Sequence, residues 1–448
     1  MSERRKLAIV GGSLTGLTVA NLCQNECDVI LLEQNDALYS GKHNGGFSLG
    51  RWGRKIFEEY VPAPDLLERS IRSEQLLIFS PDNDETVPVP EEHRVVMTTW
   101  LDVYQVLLRD IVVQSEKNWK TASKARPTLR IGANVENVQY KDGKWTITYH
   151  STATNRVEIE TADMLVAADG AQSTIRRLTS PGVVPSYEQV VAWRGRVPAD
   201  VSVDEEKEID ERIKKGLLVW YKMHGSQYII LSVFCLNHFD ACVLTALRYG
   251  VPGFGNADDN DDMVIEWCWY HPYEQDTDRD LENVMTTFVD RGQHVKGRAE
   301  KWKDYLDAAK NSFPKSIWEM LSKCETPWIT KVIAAPLTMR PISVDELDGD
   351  TDGEETDEES WDQGGDTSAS SPQLKRLWFA GEAYAPLPPF LGSTFEPGAE
   401  HAVAILNLIQ GKSDERELRS WQSGGTAQRL WSSKMAGWEG MGLPDTRT

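Results

Sequence analysis

The sequence predicts an α/β domain joined to an α+β domain, and three observations carry that prediction. A β-α-β unit stands at the start: Lys6-Leu-Ala-Ile-Val10 is a short apolar strand, residues 17–22 have helical spacing, and Asp28-Val-Ile-Leu-Leu-Glu33 is a second strand. From about Tyr187 to Pro341 the texture changes to aromatic-rich strands and amphipathic helical stretches. The chain then returns to a buried strand, Arg376-Leu-Trp-Phe-Ala380, so a late segment closes the first domain. A chain of 448 residues suits this division, because single cores stop growing at roughly 250–300 residues.

Between these landmarks, Leu129-Arg-Ile, residues 135–140, 144–149 and 157–160 alternate as antiparallel strands, with a turn at Lys141-Asp-Gly143, and lead into the buried strand Met164-Leu-Val-Ala-Ala168. In the second domain, Trp220-Tyr221, residues 228–231 and Trp267-Cys-Trp-Tyr270 read as strands, and 300–323 as helical. Residues 233–248 read as an insertion in a strand. Two explanations stay open, a hairpin turning at Asn237-His-Phe-Asp240 and a translated intron.

The formal charge of −21 is unevenly spread. Residues 345–366 hold twelve Asp and Glu with no Lys or Arg, and removing them brings −21 to −9, an ordinary acidic surface. That run has too few apolar residues to repay ordering entropy and reads as a disordered connecting loop. Clustered Lys and Arg for phosphate neutralisation are not evident, which disfavours nucleic-acid binding. No apolar run reaches the roughly 20 residues of a membrane span, and the expectation is a cytoplasmic protein. The six cysteines form no CxxC pair and lie near no histidines at ligand spacing, so neither a metal nor a disulfide framework is expected.

The loop Gly11-Gly-Ser-Leu-Thr-Gly16 between the first strand and helix fits GxGxxG, with Ser13 in place of the middle glycine. Gly11 allows the tight turn, the small Ser13 lets a pyrophosphate approach the backbone, and Gly16 lets helix and strand pack closely. The helix N-terminus, including Leu14 and Thr15, offers N–H groups and a favourable dipole to phosphates. Glu33, followed by Gln34, ends the second strand where a ribose hydroxyl would donate to its carboxylate. Together these read as a Rossmann-type site for an adenine dinucleotide, against a plainer reading in which the glycine turn belongs to a β-α-β unit that binds nothing.

Two later motifs narrow the choice: Ala168-Asp-Gly-Ala-Gln-Ser-Thr-Ile-Arg176 and Gly381-Glu-Ala-Tyr-Ala-Pro-Leu-Pro-Pro-Phe-Leu-Gly392, each following a buried strand. With all three motifs, the chain resembles the FAD-dependent aromatic hydroxylases related to p-hydroxybenzoate hydroxylase, the group A flavoprotein monooxygenases. The resemblance spans about residues 6–410. It implies that Asp169, Gly170, Ser173 and Arg176 belong to an FAD and pyridine-nucleotide motif. It also implies that Gly381, Glu382, Pro388 and Gly392, with Thr394 and Phe395, belong to the flavin motif, the acid lying on the ribitol. Three positions depart from the pattern: Glu382 is a longer acid, Ala385 replaces a histidine and Thr394 replaces a glycine. The family's flavin-side arginine aligns with Trp100, and Gly46 joins the expected flavin contacts. Trp100 and Val191-Ala-Trp-Arg-Gly195 resemble the branch containing 2,6-dihydroxypyridine 3-monooxygenase.

The resemblance implies hydroxylation of an electron-rich aromatic or heteroaromatic ring with NADPH or NADH and O2, through a C4a-hydroperoxide of bound FAD. Expected partners are a small aromatic substrate and O2, with a homodimer left open. The protein must supply a dry pocket and help a ring hydroxyl toward phenolate. Candidates are Arg194, His224, Tyr270 and His271, against a plainer reading in which the arginine pairs with a surface acid and the tyrosine is core. A degenerate flavin-binding protein and a related flavin oxidase or halogenase are the alternatives. No second glycine-rich loop exists for the reductant. The expected domains are FAD-binding (1–72, 98–182, 373–412), substrate (73–97, 183–342), the acidic loop (343–372) and a C-terminal extension (413–448).

Overall fold

A computed structural model describes residues 4–36, 45–73, 75–79, 84–88, 94–117, 127–181, 186–198, 218–222, 228–235, 263–272, 295–296, 299–325, 327–334, 376–384, 386 and 394–413. The acidic loop, the C-terminal extension beyond residue 413, His224, Pro388 and Gly392 lie outside the described residues.

The first core is a five-stranded parallel sheet in the order β19-β12-β1-β2-β8, made of β1 (Lys6–Val10), β2 (Asp28–Glu33), β8 (Thr128–Ile131), β12 (Met164–Ala167) and β19 (Leu377–Phe379). Its central strands are buried nearly end to end, as strands covered on both faces must be. One face carries α1 (Leu14–Cys23), α4 (Trp100–Lys117) and the long helix after β19, here α8 (Glu396–Ile409). The other carries the antiparallel sheet β9 (Ala133–Lys141), β10 (Lys144–Ser151) and β11 (Arg156–Ala162), with Trp145, Ile147 and Tyr149 packed on Ala8, Val10 and Ile30. Thus Leu129-Arg-Ile does not join the antiparallel strands as the alternation suggested. It is the parallel edge beside β2, because Gly132, at φ +68, turns the chain between β8 and β9.

A small sheet of β3 (Gly46–Leu49), β7 (Val95–Thr99) and β4 (Ile71–Ser73) adjoins this core. From β3 the chain runs into α2 (Arg51–Lys55), a π-helical turn at Ile56–Tyr60 and α3 (Pro64–Arg69).

The second unit is an eight-stranded sheet, β17-β18-β13-β16-β15-β14-β5-β6. Its strands are β5 (Gln75–Phe79), β6 (Asp84–Pro88), β13 (Ser186–Pro198), β14 (Leu218–Lys222), β15 (Tyr228–Cys235), β16 (Met263–Pro272), β17 (Val295–Lys296) and β18 (Trp328–Ala334). Within the suspected insertion, Val233, Phe234 and Cys235 continue β15 and pair with Ile265, Val264 and Met263; residues 236–248 lie outside the described residues.

Alternation gives β16 two chemical faces. Trp267, Trp269 and His271 share a face with Trp193 of β13, the register partner of Trp269, and against this face pack Trp302 and Tyr305 of α6 (Ala299–Ala308) and Phe313, ahead of α7 (Lys315–Ser322). Glu266, Cys268 and Tyr270 occupy the opposite face, level with Arg196, Arg194 and Ala192. Among the described residues, no helix is long and apolar enough to cross a membrane.

Candidate flavin and substrate site

The turn after β1 is made by close approaches that exclude side chains. Gly11 has φ +106, and a Cβ there would lie 2.3 Å from the carbonyl oxygen of Ala168. A Cβ on Gly16 would lie 1.8 Å from the Gly11 carbonyl oxygen, so the first turn of α1 packs directly on the loop. Gly12, which sequence reasoning passed over, is equally constrained, since its Cβ would lie 2.8 Å from that of Glu33. Its N–H donates to Glu33 Oε2 at 2.7 Å, while Oε1 accepts from the Asn35 backbone at 2.9 Å and side chain at 2.5 Å. Glu33 thereby braces the loop, and Gln34 beyond it is exposed.

Ser13 is the N-cap of α1 and is exposed, but its side chain caps nothing and the first turn carries no acid. Leu14 turns its side chain into the core. Thr15 fits between two glycines of the third motif region: Cβ atoms on Gly381 and Gly398 would come within 2.6 and 2.3 Å of its hydroxyl.

Asp169 and Ser173 close the N-terminus of α5 (Thr174–Thr179). The aspartate accepts from Ser173 Oγ at 2.5 Å, Thr174 N at 2.7 Å and Ile175 N at 3.2 Å, and Ser173 Oγ accepts from Arg176 N at 3.0 Å. Burial pushes the Asp169 carboxyl above the usual range, against the pull of those bonds. Gly170 sits at φ +76, a left-handed turn that glycine permits. Arg176, buried in the core, reaches across to the third motif, where Nη1 donates to the carbonyls of Glu382 at 3.1 Å and Ala383 at 2.7 Å; Nη2 donates to Ala171. The second and third motifs, 206 residues apart, are thus one structure.

Glu382 lies in the 3-10 turn Gly381–Ala383, where burial raises its carboxyl to about 7 despite nearby Arg176. The turn is held from behind by His401 of α8, whose Nδ1 accepts from Gly381 N at 3.0 Å. Burial lowers the His401 pKa to about 3, which keeps the ring neutral as that bond requires. Sequence reading missed His401 because its partner is a backbone group twenty residues away. Thr394 is half-buried, and Phe395 is buried with its ring edge-on to Phe47 at 5.8 Å.

Trp100 opens α4, stacks on Tyr104 at 4.7 Å and donates its backbone N–H to Gly45 O at 2.9 Å. Thr99 and Asp102 cap that helix, the hydroxyl donating to Asp102 Oδ2 at 2.5 Å and accepting from Asp102 N at 3.1 Å.

Beside Gly46 stands a buried acid that the sequence reading did not select. Glu266 Oε1 accepts from Arg194 Nη2 at 2.7 Å, and Oε2 accepts from Arg196 Nε at 3.0 Å and Gly46 N at 2.7 Å. Arg194 Nη2 also donates to Gly46 O at 3.2 Å. The two guanidinium groups hold the Glu266 carboxyl below its usual range despite burial, and Glu266 in turn keeps Arg194 charged. An acid alternating with Cys268 and Tyr270 on an aromatic strand was the available signal. On the same face the Tyr270 phenol and Cys268 thiol share a hydrogen bond, and burial raises both, the thiol to about 11. The structure therefore brings Arg194 and Tyr270 to the face that meets β3, and puts His271 on the tryptophan face, edge-on to Tyr305.

This architecture superposes on 2,6-dihydroxypyridine-3-hydroxylase from Arthrobacter nicotinovorans over 97% of this chain and 92% of that one, with a TM-score of 0.64 at 16% identity. The chain has the p-hydroxybenzoate hydroxylase-like fold of FAD-dependent monooxygenases. A second likeness is to CtdE, solved in complex with FAD, with a TM-score of 0.58 at 12% identity over 97% of this chain and 92% of that one. In sequence, a kynurenine 3-monooxygenase from Salinispora tropica is 26% identical over 226 residues, 49% of this chain and 47% of that protein. The FAD-dependent monooxygenase penE of Penicillium thymicola is 28% identical over 199 residues, 41% and 38% of the two chains. The matching stretches thus span less than half of either monooxygenase relative. No family model matches the chain.

Proposed function

We propose that the chain is an FAD-dependent monooxygenase that hydroxylates an electron-rich aromatic or heteroaromatic ring with NAD(P)H and O2. The observation that carries this reading is the convergence of three distant segments on one uncapped helix: Gly11 packs on Ala168, Thr15 on Gly381 and Gly398, and Arg176 ties the last two motifs together. The uncapped N-terminus of α1 fits a pyrophosphate, and the Glu33 carboxylate fits ribose hydroxyls. Glu382, at the turn tied to Arg176, is the acid for the ribityl chain. Gly46, Trp100, Asp169, Gly170, Thr394 and Phe395 complete the proposed flavin contacts.

Bound FAD would supply electron transfer from NAD(P)H and activation of O2. The protein's part is to orient the ring and manage one proton. Arg194, charged and on the face toward β3, suits an anionic ring oxygen. Tyr270 lies on the same face as Arg194, and burial raises its phenol well above its ordinary pKa, so it stays protonated and does not suit the role of a base. The proposed domains follow the same division, with β5 and β6 in the substrate sheet and β19 and α8 closing the FAD side.

The test is spectral. The purified chain should carry one oxidised flavin, bleached by NADPH without oxygen only when a ring compound from a panel of phenols and hydroxypyridines is added, and in air that compound should gain one oxygen atom by mass. A chain that takes up no FAD, or whose reduced flavin yields only hydrogen peroxide with every ring tested, would sink the reading.

A further inference from the structure

The segment between Gly45 and Gly53, comprising β3 and the start of α2, is gripped by two buried carboxylates from opposite parts of the molecule. Glu266, on the substrate sheet, accepts the Gly46 N–H at 2.7 Å across 220 residues. Glu396, the first residue of α8, accepts three more: Oε1 takes Gly50 N at 2.7 Å and Gly53 N at 2.9 Å, and Oε2 takes Trp52 N at 2.8 Å. Gly50 is the N-cap of α2 and has no side chain to do this, so the helix is capped in trans. The fit is close: Cβ atoms on Gly50 and Gly53 would stand 2.7 and 2.8 Å from the Glu396 carboxyl group.

What lies along this segment gives the grip a role. Phe47 packs on Phe395, Gly45 O accepts from Trp100 N, and Glu396 directly follows Thr394 and Phe395. Trp100, Thr394 and Phe395 are among the flavin contacts proposed above, and Phe47, Gly45 and Glu396 touch or adjoin them. The Gly46 end is tied to both arginines through Glu266, whose Oε2 accepts from Gly46 N and Arg196 and whose Oε1 accepts from Arg194.

We propose that Glu266 and Glu396 are positioning residues that hold the Gly45–Gly53 segment against the flavin and thereby fix the flavin relative to the substrate sheet; this rests on the FAD reading. Charge is needed in each because every carboxylate oxygen already accepts from a donor. A glutamine at either position must aim its NH2 at a backbone N–H or a guanidinium, a donor facing a donor.

The experiment compares Glu266→Gln, Glu396→Gln, Gly53→Ala and, as control, the exposed Glu59→Gln in full-length protein. Amide exchange should quicken at least tenfold at Gly46 in the first variant and at Gly50, Trp52 and Gly53 in the second. Both variants should also alter the visible circular dichroism of bound FAD and weaken FAD binding about tenfold. Gly53→Ala should copy Glu396→Gln, and the two together should add little; Glu59→Gln should change nothing. Faster exchange with an unchanged flavin spectrum and FAD affinity would overturn the proposal, leaving both acids merely structural. If the wild-type chain takes up no FAD, the functional reading falls and this proposal with it; wild-type uptake with unaffected variants sinks the proposal alone.

Discussion

The N-termini of α1 and of α2, α4 and α5 expose the same backbone N–H groups, yet they are treated in opposite ways. At α5 the donors are taken by Asp169 and Ser173, at α4 by Thr99, and at α2 by Glu396 from the far end of the chain. At α1 the N-cap serine is exposed and makes no side-chain cap. An N-terminus concentrates partial positive charge, and folding favours an anion there. Where the chain supplies its own acceptor the end is finished; α3, α7 and α8 also lack a side-chain cap, and what sets α1 apart is the glycine turn before it, which lets a ligand phosphate approach the backbone.

This contrast can be broken at an occupied end. Asp169→Ala should cost about 1–3 kcal/mol of stability, because the part-buried N–H groups at Thr174 and Ile175 and the Ser173 hydroxyl lose their acceptor. A denaturant titration of flavin-free protein checks this, and a midpoint equal to wild type would contradict it. At the open end the opposite should happen. Ser13→Asp should leave the flavin-free protein as stable or up to about 1 kcal/mol more so, by charging the N-cap. It should weaken FAD binding by about 3 kcal/mol, through repulsion of the pyrophosphate at close range. Equilibrium dialysis against FAD beside a thermal melt would separate the two effects.

Glu382 sharpens the comparison, since burial leaves its carboxyl raised to about 7 from an ordinary 4.5. Below pH 4.5 the group is protonated in both folded and unfolded chains and costs nothing. Between pH 4.5 and 7 the unfolded chain loses the proton first, so stability falls as pH rises, by up to about 3 kcal/mol, and stays lower above pH 7. Glu382→Gln should flatten that part of the stability profile of flavin-free protein, and an unchanged slope would show that Glu382 does not carry it. Glu33→Ala should lower FAD retention roughly ten-fold, about 1.4 kcal/mol, by removing ribose acceptors and the brace on Gly12. Protein purified with full flavin would refute that role. The smallest effect is expected on deleting residues 345–366, whose loss should leave turnover unchanged; lost activity with intact folding would give the loop a function.

Much of the first domain was legible because its signals are local. The strand at Lys6–Val10, the glycine turn and the acid at Glu33 follow one another within one β-α-β unit, and their roles depend on neighbours in sequence. Leu129-Arg-Ile was misplaced because pairing partners are chosen by the whole sheet, and a short apolar strand carries no mark of parallel or antiparallel neighbours. In the same way, alternation already puts Tyr270 and His271 on opposite faces of a strand, but only tertiary packing decides that the His271 face meets α6 and the Tyr270 face meets β3.

By itself, then, the sequence determined the glycine loop after the first strand, the second and third motifs and the change from one unit to the other, since turns, glycines and hydrophobic period act over a few residues. Tertiary structure alone decided that Arg176 joins two motifs, that His401 holds Gly381, and that Glu266 and Glu396 grip one segment from two sides. Each of these contacts pairs a buried polar side chain largely with backbone groups. Every residue offers the same backbone N–H and carbonyl whatever its side chain, so no pattern in the sequence marks which of them a distant acid, arginine or histidine will find.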